Sequence, residues 1–176
     1  MSAIAMPSLG MLTAPERRVH PAPGAASRGS TLTGPLMGLR QMRFPIDGGE
    51  FVVEIEGEPP SWVAPTVDAL GRLLSMPQGW DSYDARQVDP TCVVSAIDIA
   101  LTIMHDRTPS PAVVPTSSGG IQLEWHTRGI DLEIEIRSPS RISASFEDQR
   151  THTAWDSEQL VDFGSLRNAL REMAQR

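Results

Sequence analysis

The sequence predicts an α+β fold: an antiparallel sheet, made of a three-stranded meander plus an N-terminal strand or hairpin, with three helices packed on one face. Three observations predict it. Apolar residues recur with a period of two from Ile121 to Phe146, the pattern of strands that bury one face. Two segments before that region and one after it repeat apolar residues every three or four positions, as amphipathic helices do. The order strand, two helices, three strands, helix lacks the alternation from which a parallel sheet is built.

The first strand is marked by Phe51, Val53 and Ile55 alternating with Glu54 and Glu56, and Asp47-Gly48-Gly49 before it is a turn signal that allows a hairpin. After Pro59-Pro60, Pro65 fits the first turn of a helix with Val67, Leu70 and Leu74 on one face, ending before Pro77. Asp89-Pro90 supplies an N-cap and a first-turn proline for the second helix. From Thr91 to His105 that helix is apolar except for a stripe of Ser95, Asp98, Thr102 and His105, which makes it the central core helix. The three strands carry Ile121, Leu123, Trp125, then Ile130, Leu132, Ile134, Ile136, then Ile142, Ala144, Phe146. Ser165 is positioned to cap a last helix with Leu166, Ala169, Leu170 and Met173 inward.

Two parts of opposite charge follow from the 176 residues. Residues 1–43 hold five prolines, five glycines, five arginines and one acid, Glu16, with no apolar period, and are predicted to be a disordered basic arm of charge +4. Residues 44–176 are predicted to be a single α+β domain, with ten arginines against twenty-one acids, a charge of −11. Met37 and Met42 offer alternative starts within the arm. The overall charge of −7 argues against a nucleic-acid grip, which needs clustered positive charge. No apolar run approaches the 18 or so residues of a membrane span. The single cysteine, Cys92, forms neither an internal disulfide nor a cysteine-based zinc cluster, which points to reducing cytoplasm. All fifteen basic residues are arginine, as GC-rich bacterial codons favour. The absence of lysine removes phosphate-binding loops and Schiff-base enzymes from consideration.

Strand pairing concentrates the chemistry. If Arg128-Gly129 is a two-residue turn, Trp125 faces Leu132 and Leu123 faces Ile134, while on the other side Glu124 meets Glu133, His126 meets Asp131 and Gln122 meets Glu135. With Pro139, Ser140 and Arg141 as the second loop, Glu147 falls opposite Glu133 and three glutamates cross the sheet; a shift of two residues puts Ser145 there instead. Facing like charges cost stability, so this row has three explanations: a solvated acidic face softened by His126 and Arg137, a docking surface for arginines, or a divalent cation held by Glu124, His126 and Glu133.

Gly79-Trp80-Asp81-Ser82-Tyr83-Asp84-Ala85 is dense in functional groups for a loop. Trp80, Asp81, Tyr83 and Asp84 form a candidate ligand loop; the structural account, which we favour, has Trp80 and Tyr83 plugging the core and Asp81 bonding loop amides. Trp80-Asp81-Ser82-Tyr83, followed by Pro90, Pro115 and Gly119-Gly120-Ile121-Gln122-Leu123-Glu124-Trp125, resembles a family of small bacterial proteins of uncharacterised activity. The resemblance covers residues 77–136 and departs at Asp84, where the family often has glycine. It implies that the aromatic loop and the Gly-Gly-to-Trp125 strand belong to one module, and it transfers no activity.

Weaker signals add little. His105-Asp106 has the form of a phosphohydrolase metal dipeptide without the further histidines such a centre needs. Cys92, in the first turn of a helix, is either a dipole-activated thiol or a small buried hydrophobe, and the second fits better. His152 and Trp155 fall in no predicted element. The expected function is a non-catalytic protein-interaction module of antitoxin, immunity or accessory type, without cofactor. It would bind a basic partner, or the chain's own arm, through Glu124, Glu133 and Glu135 with Asp131 and Glu147 at the edge. The alternative is a metal-dependent hydrolase using the same glutamates with His126.

Overall fold

A computed structural model describes residues 39–46, 49–160 and 162–176. Residues 1–38 of the predicted arm, and Asp47 and Gly48 of the predicted turn, lie outside them, while positions 39–43 fall in the first strand. That strand, β1 (Leu39–Ile46), pairs antiparallel with β2 (Gly49–Glu56). The hairpin is a two-stranded sheet of its own and does not extend the main sheet, a correction to the expected arrangement. Val53 of β2 nevertheless reaches the core.

The helix α1 (Val63–Leu74) contains Pro65 in its first turn and buries Val63, Thr66, Val67, Leu70 and Leu73, so the inward face passes through Leu73, with Leu74 only partly covered. The helix α2 (Pro90–Ile103) starts as its sequence dictates. Asp89 Oδ1 accepts hydrogen bonds from the backbone N–H of Thr91 at 2.8 Å and from its hydroxyl at 2.7 Å, and Pro90 occupies the first turn, where no N–H is needed. Seven of its residues are buried, and the exposed Leu101 interrupts the polar stripe.

The main sheet runs β3 (Ala112–Pro115), β4 (Ile121–Thr127), β5 (Ile130–Ser138), β6 (Arg141–Asp148) and β7 (Thr153–Ser157), each antiparallel to the next. The two outer strands were not expected. Four residues ending in proline and five residues mostly polar are too short to show a period. Trp155 belongs to β7, where its ring stacks on Phe146 with centroids 5.5 Å apart.

Between β4 and β5 the two-residue turn forms with Arg128 at φ 57° and Gly129 at φ 73°, the left-handed pair that matches strand twist. All five predicted pairs are found: Trp125 with Leu132, Leu123 with Ile134, Glu124 with Glu133, His126 with Asp131, Gln122 with Glu135. The second hairpin differs. Its loop is Pro139-Ser140 alone, and a bulge between Ile136 and Ser138 shifts the register once more, so Glu133 faces Ser145 and Glu147 faces Asp131. The row of three glutamates is therefore not formed, and the alternative with Ser145 is the one observed.

The helix α3 (Gly164–Gln175) buries Leu166, Ala169, Leu170 and Met173. Ser165 is not its cap; the helix begins a residue earlier, and Asp162 Oδ1 accepts from the Gly164 N–H at 3.0 Å. One core joins the apolar sheet face to inward residues of all three helices, with α2 against β4 and β5. Among the described residues no helix is long and apolar enough to cross a membrane.

Candidate functional site: the open face of the sheet

Strand alternation builds the site. With Ile121, Leu123, Trp125, Ile130, Leu132, Ile134 and Ile136 committed to the core, the intervening residues of β4 and β5 must take the opposite face. Gln122, Glu124 and His126 thus stand beside Asp131, Glu133 and Glu135, and register adds Ser143, Ser145 and Glu147 from β6 and Asp156 from β7. Asp156 escaped prediction because β7 did, although the alternation Trp155-Asp156-Ser157 carries a faint signal of it. All five partner-binding candidates, Glu124, Glu133, Glu135, Asp131 and Glu147, share this face, with Glu147 one pair further along than expected.

Nearby donors offset the crowding of like charges. His126 Nδ1 lies 2.8 Å from Asp131 Oδ1, and its Nε2 lies 3.4 Å from Glu124 and 3.9 Å from Glu133. The Gln122 amide donates to Glu133 at 2.8 Å, Gln149 donates to Asp131 at 2.8 Å, and Arg137 donates to Glu135 at 2.6 Å. The hydrogen bond to Asp131 raises the His126 pKa above its ordinary value against the opposing effect of burial, and Glu124 adds to the rise. In return His126 and Gln149 hold Asp131 below the usual carboxylate range, and Arg137 does the same for Glu135.

A shallow depression of about 170 Å³ lies on this face between Glu133, Glu135, Ser145 and Asp156. It is smaller than the roughly 300–1,000 Å³ of small-molecule sites, so the face is suited to contact with a surface. Glu124, His126 and Glu133 are not assembled as a metal centre: one imidazole nitrogen is turned to Asp131, and among the described residues no group of three or more His, Cys, Asp or Glu side chains is placed to hold an ion.

No family model, curated protein or solved structure matches the chain.

The aromatic loop is a separate feature. Asp81 Oδ1 accepts from the backbone N–H of Tyr83 at 2.9 Å and of Ala85 at 3.3 Å, the expected Asx-type role. Trp80 is half-buried, with its indole N–H donating to the Arg86 carbonyl at 3.3 Å. Tyr83 does not plug the core: it is 84 % exposed, because Ser82 at φ 68° turns the chain outward, and Ala85 and Val88 fill the inward positions instead. Asp84 is exposed as well. The loop is fastened to the turn between β3 and β4, since Arg86 N–H donates to Ser117 O and Asp89 N–H to Gly119 O, both at 2.9 Å. A Cβ on Gly119, at φ +90°, would lie 2.9 Å from Gln87 O, and one on Gly120 would lie 2.6 Å from Ile136 O, so both positions require glycine. Among the described residues no hydrogen bond connects this loop to the acidic face. The Cys92 thiol is pushed up to about 11 by burial and then by Asp89, overruling the helix dipole and leaving a packed, inert side chain.

Proposed function

We propose that the open face of the sheet is a protein-interaction surface for a basic, arginine-bearing partner, in the manner of an antitoxin, immunity or accessory protein of the cytoplasm. The supporting observation is the direct pairing of Glu124 with Glu133 in the middle of the face, with Glu135, Asp131, Glu147 and Asp156 around it. Each facing like-charge pair costs roughly a few tenths of a kcal/mol, which guanidinium groups arriving from outside would turn into a gain. Residues 1–38, with three arginines against Glu16 and a charge of +2, are the intramolecular competitor for the same surface. Capture from a host lysate on the immobilised chain tests the proposal. A basic protein is expected to be retained, to elute with salt, and to be lost when Glu124→Gln and Glu133→Gln are combined; equal retention by that variant would sink it. A rise in Tm specific to Mn²⁺ or Zn²⁺ would favour the hydrolase alternative instead.

The same face carries a pH dependence. Because Asp131 and Glu124 raise the pKa of His126, the stability contributed by the imidazolium is full below the unfolded value of about 6.5 and is lost as pH rises through the higher folded value. Loss of that proton makes the face one charge more negative, so affinity for a cationic partner is expected to increase over the same range. An NMR titration of the His126 ring should give a pKa above 6.5 that Asp131→Asn lowers; an unchanged value in the variant would contradict the assigned cause.

A further inference from the structure

We propose that the cleft between the end of α2 and the last turns of α3 is a second site, binding an anionic small molecule through a carboxylate or phosphate group. The cleft measures about 720 Å³ and opens broadly to solvent, so a ligand would be held there by its charged group. His105, Arg107 and Arg171 line it against one carboxylate, Asp106, in a body whose net charge over residues 44–176 is −11. Two guanidinium groups against one carboxylate is the reverse of what that background would supply by chance.

Both walls are set in advance. The His105 N–H donates to the Thr108 hydroxyl at 2.8 Å, the Thr108 N–H donates to the His105 carbonyl at 3.0 Å, and Thr108 is buried, so the turn carrying Arg107 is closed on itself. The Trp125 indole fixes the far side of the turn by donating to Pro109 O at 2.8 Å. On the other wall Arg171 spends one donor on Asn168 at 3.0 Å, and Arg128 holds the helix end through Met173 O at 2.8 Å. Among the described residues no hydrogen bond or ion pair engages the Arg107 guanidinium. Two planar guanidinium forks match the paired oxygens of carboxylate and phosphate, and buried Met104 with half-buried Ala174 supplies an apolar surface for the rest of a ligand. Helix carbonyl ends favour the cations and not the anion, so the side chains alone provide the binding.

The test titrates the full chain with inorganic phosphate and, separately, with citrate at fixed ionic strength, following the arginine side-chain N–H resonances. Saturating shifts of Arg107 and Arg171 are expected with at least one probe, weakened at least about tenfold when Arg107→Gln and Arg171→Gln are combined. Saturation by phosphate alone assigns a phosphate-bearing ligand, and saturation by citrate alone a carboxylate. Both arginines are exposed, so the variant should keep the Tm of the parent. Shifts that rise without saturating, or that persist in the variant, would overturn the site. The outcome is independent of whether the sheet face binds a basic partner.

Discussion

Asp148→Ala lowers the Tm further than loss of either exposed arginine pair, Arg43 with Glu50 or Arg137 with Glu135. Asp148 is 1 % exposed at the end of β6, and its two carboxylate oxygens meet the Arg176 guanidinium at 3.0 and 2.6 Å. It also accepts from the Arg150 N–H at 3.0 Å and the Thr151 hydroxyl at 2.7 Å, while Arg176 reaches Glu172 and the Arg128 carbonyl. Removing the acid takes from a nearly covered guanidinium its bidentate partner, leaving Glu172 as its one carboxylate, and frees the turn after β6, whereas the exposed pairs exchange protein contacts for water. Arg176 first, and Thr151 next, hold the Asp148 carboxyl well below the usual range. A depressed carboxylate stabilises fully above its unfolded value of about 3.9, and that stability is lost as pH falls through the folded value. Acid unfolding of the parent should therefore contain a step below the ordinary carboxylate range that Asp148→Ala and Arg176→Ala each remove. A Tm loss no greater than that of Arg43→Ala would contradict the assignment.

Leu132→Ala costs about 2–5 kcal/mol, the range for truncating a fully buried leucine that leaves a cavity. Leu132 is wholly covered in β5, the middle strand of the sheet, paired with Trp125 on one side and Phe146 on the other, in the sheet layer that α2 covers. Strands fixed on both sides cannot close inward to refill the space. At roughly 2–4 °C per kcal/mol for a chain of this size, the Tm drops by at least about 4 °C. Val114→Ala on the exposed edge strand should stay within about 0.5 kcal/mol, and denaturant unfolding distinguishes the two. Similar values for both would mean that the apolar face of the sheet is not the centre of the core.

How far the sequence disclosed this arrangement depended on how local the determining physics was. The hairpin from Ile121 to Ile136 was legible because a period of two on both sides of Arg128-Gly129 admits one register that buries every isoleucine and leucine. Glu124 and Glu133 were placed together by that fact alone. The loop is one residue shorter than expected and the bulge near Arg137 adds one more, neither changing the pattern of apolar positions, so the partner of Glu147 differs by two. β3 and β7 were missed because strands of four and five residues gain their identity from the neighbours they pair with, as Trp155 does from Phe146. Tyr83 reads as a core residue because aromatic side chains usually are; the positive φ of Ser82, invisible in the sequence, turns it to solvent. The cleft beside Arg107 and Arg171 joins segments more than sixty residues apart and had no local signature.

The most direct test of the sheet face as a binding surface is NMR mapping of the full chain with a nona-arginine peptide. The expected amide shifts cluster at Gln122 to His126, Asp131 to Arg137 and Ser143 to Glu147, fade at high salt, and disappear when Glu124→Gln and Glu133→Gln are combined. Shifts centred instead on acids away from the sheet, such as Asp68, or spread evenly over the surface and untouched by the double substitution, would contradict it.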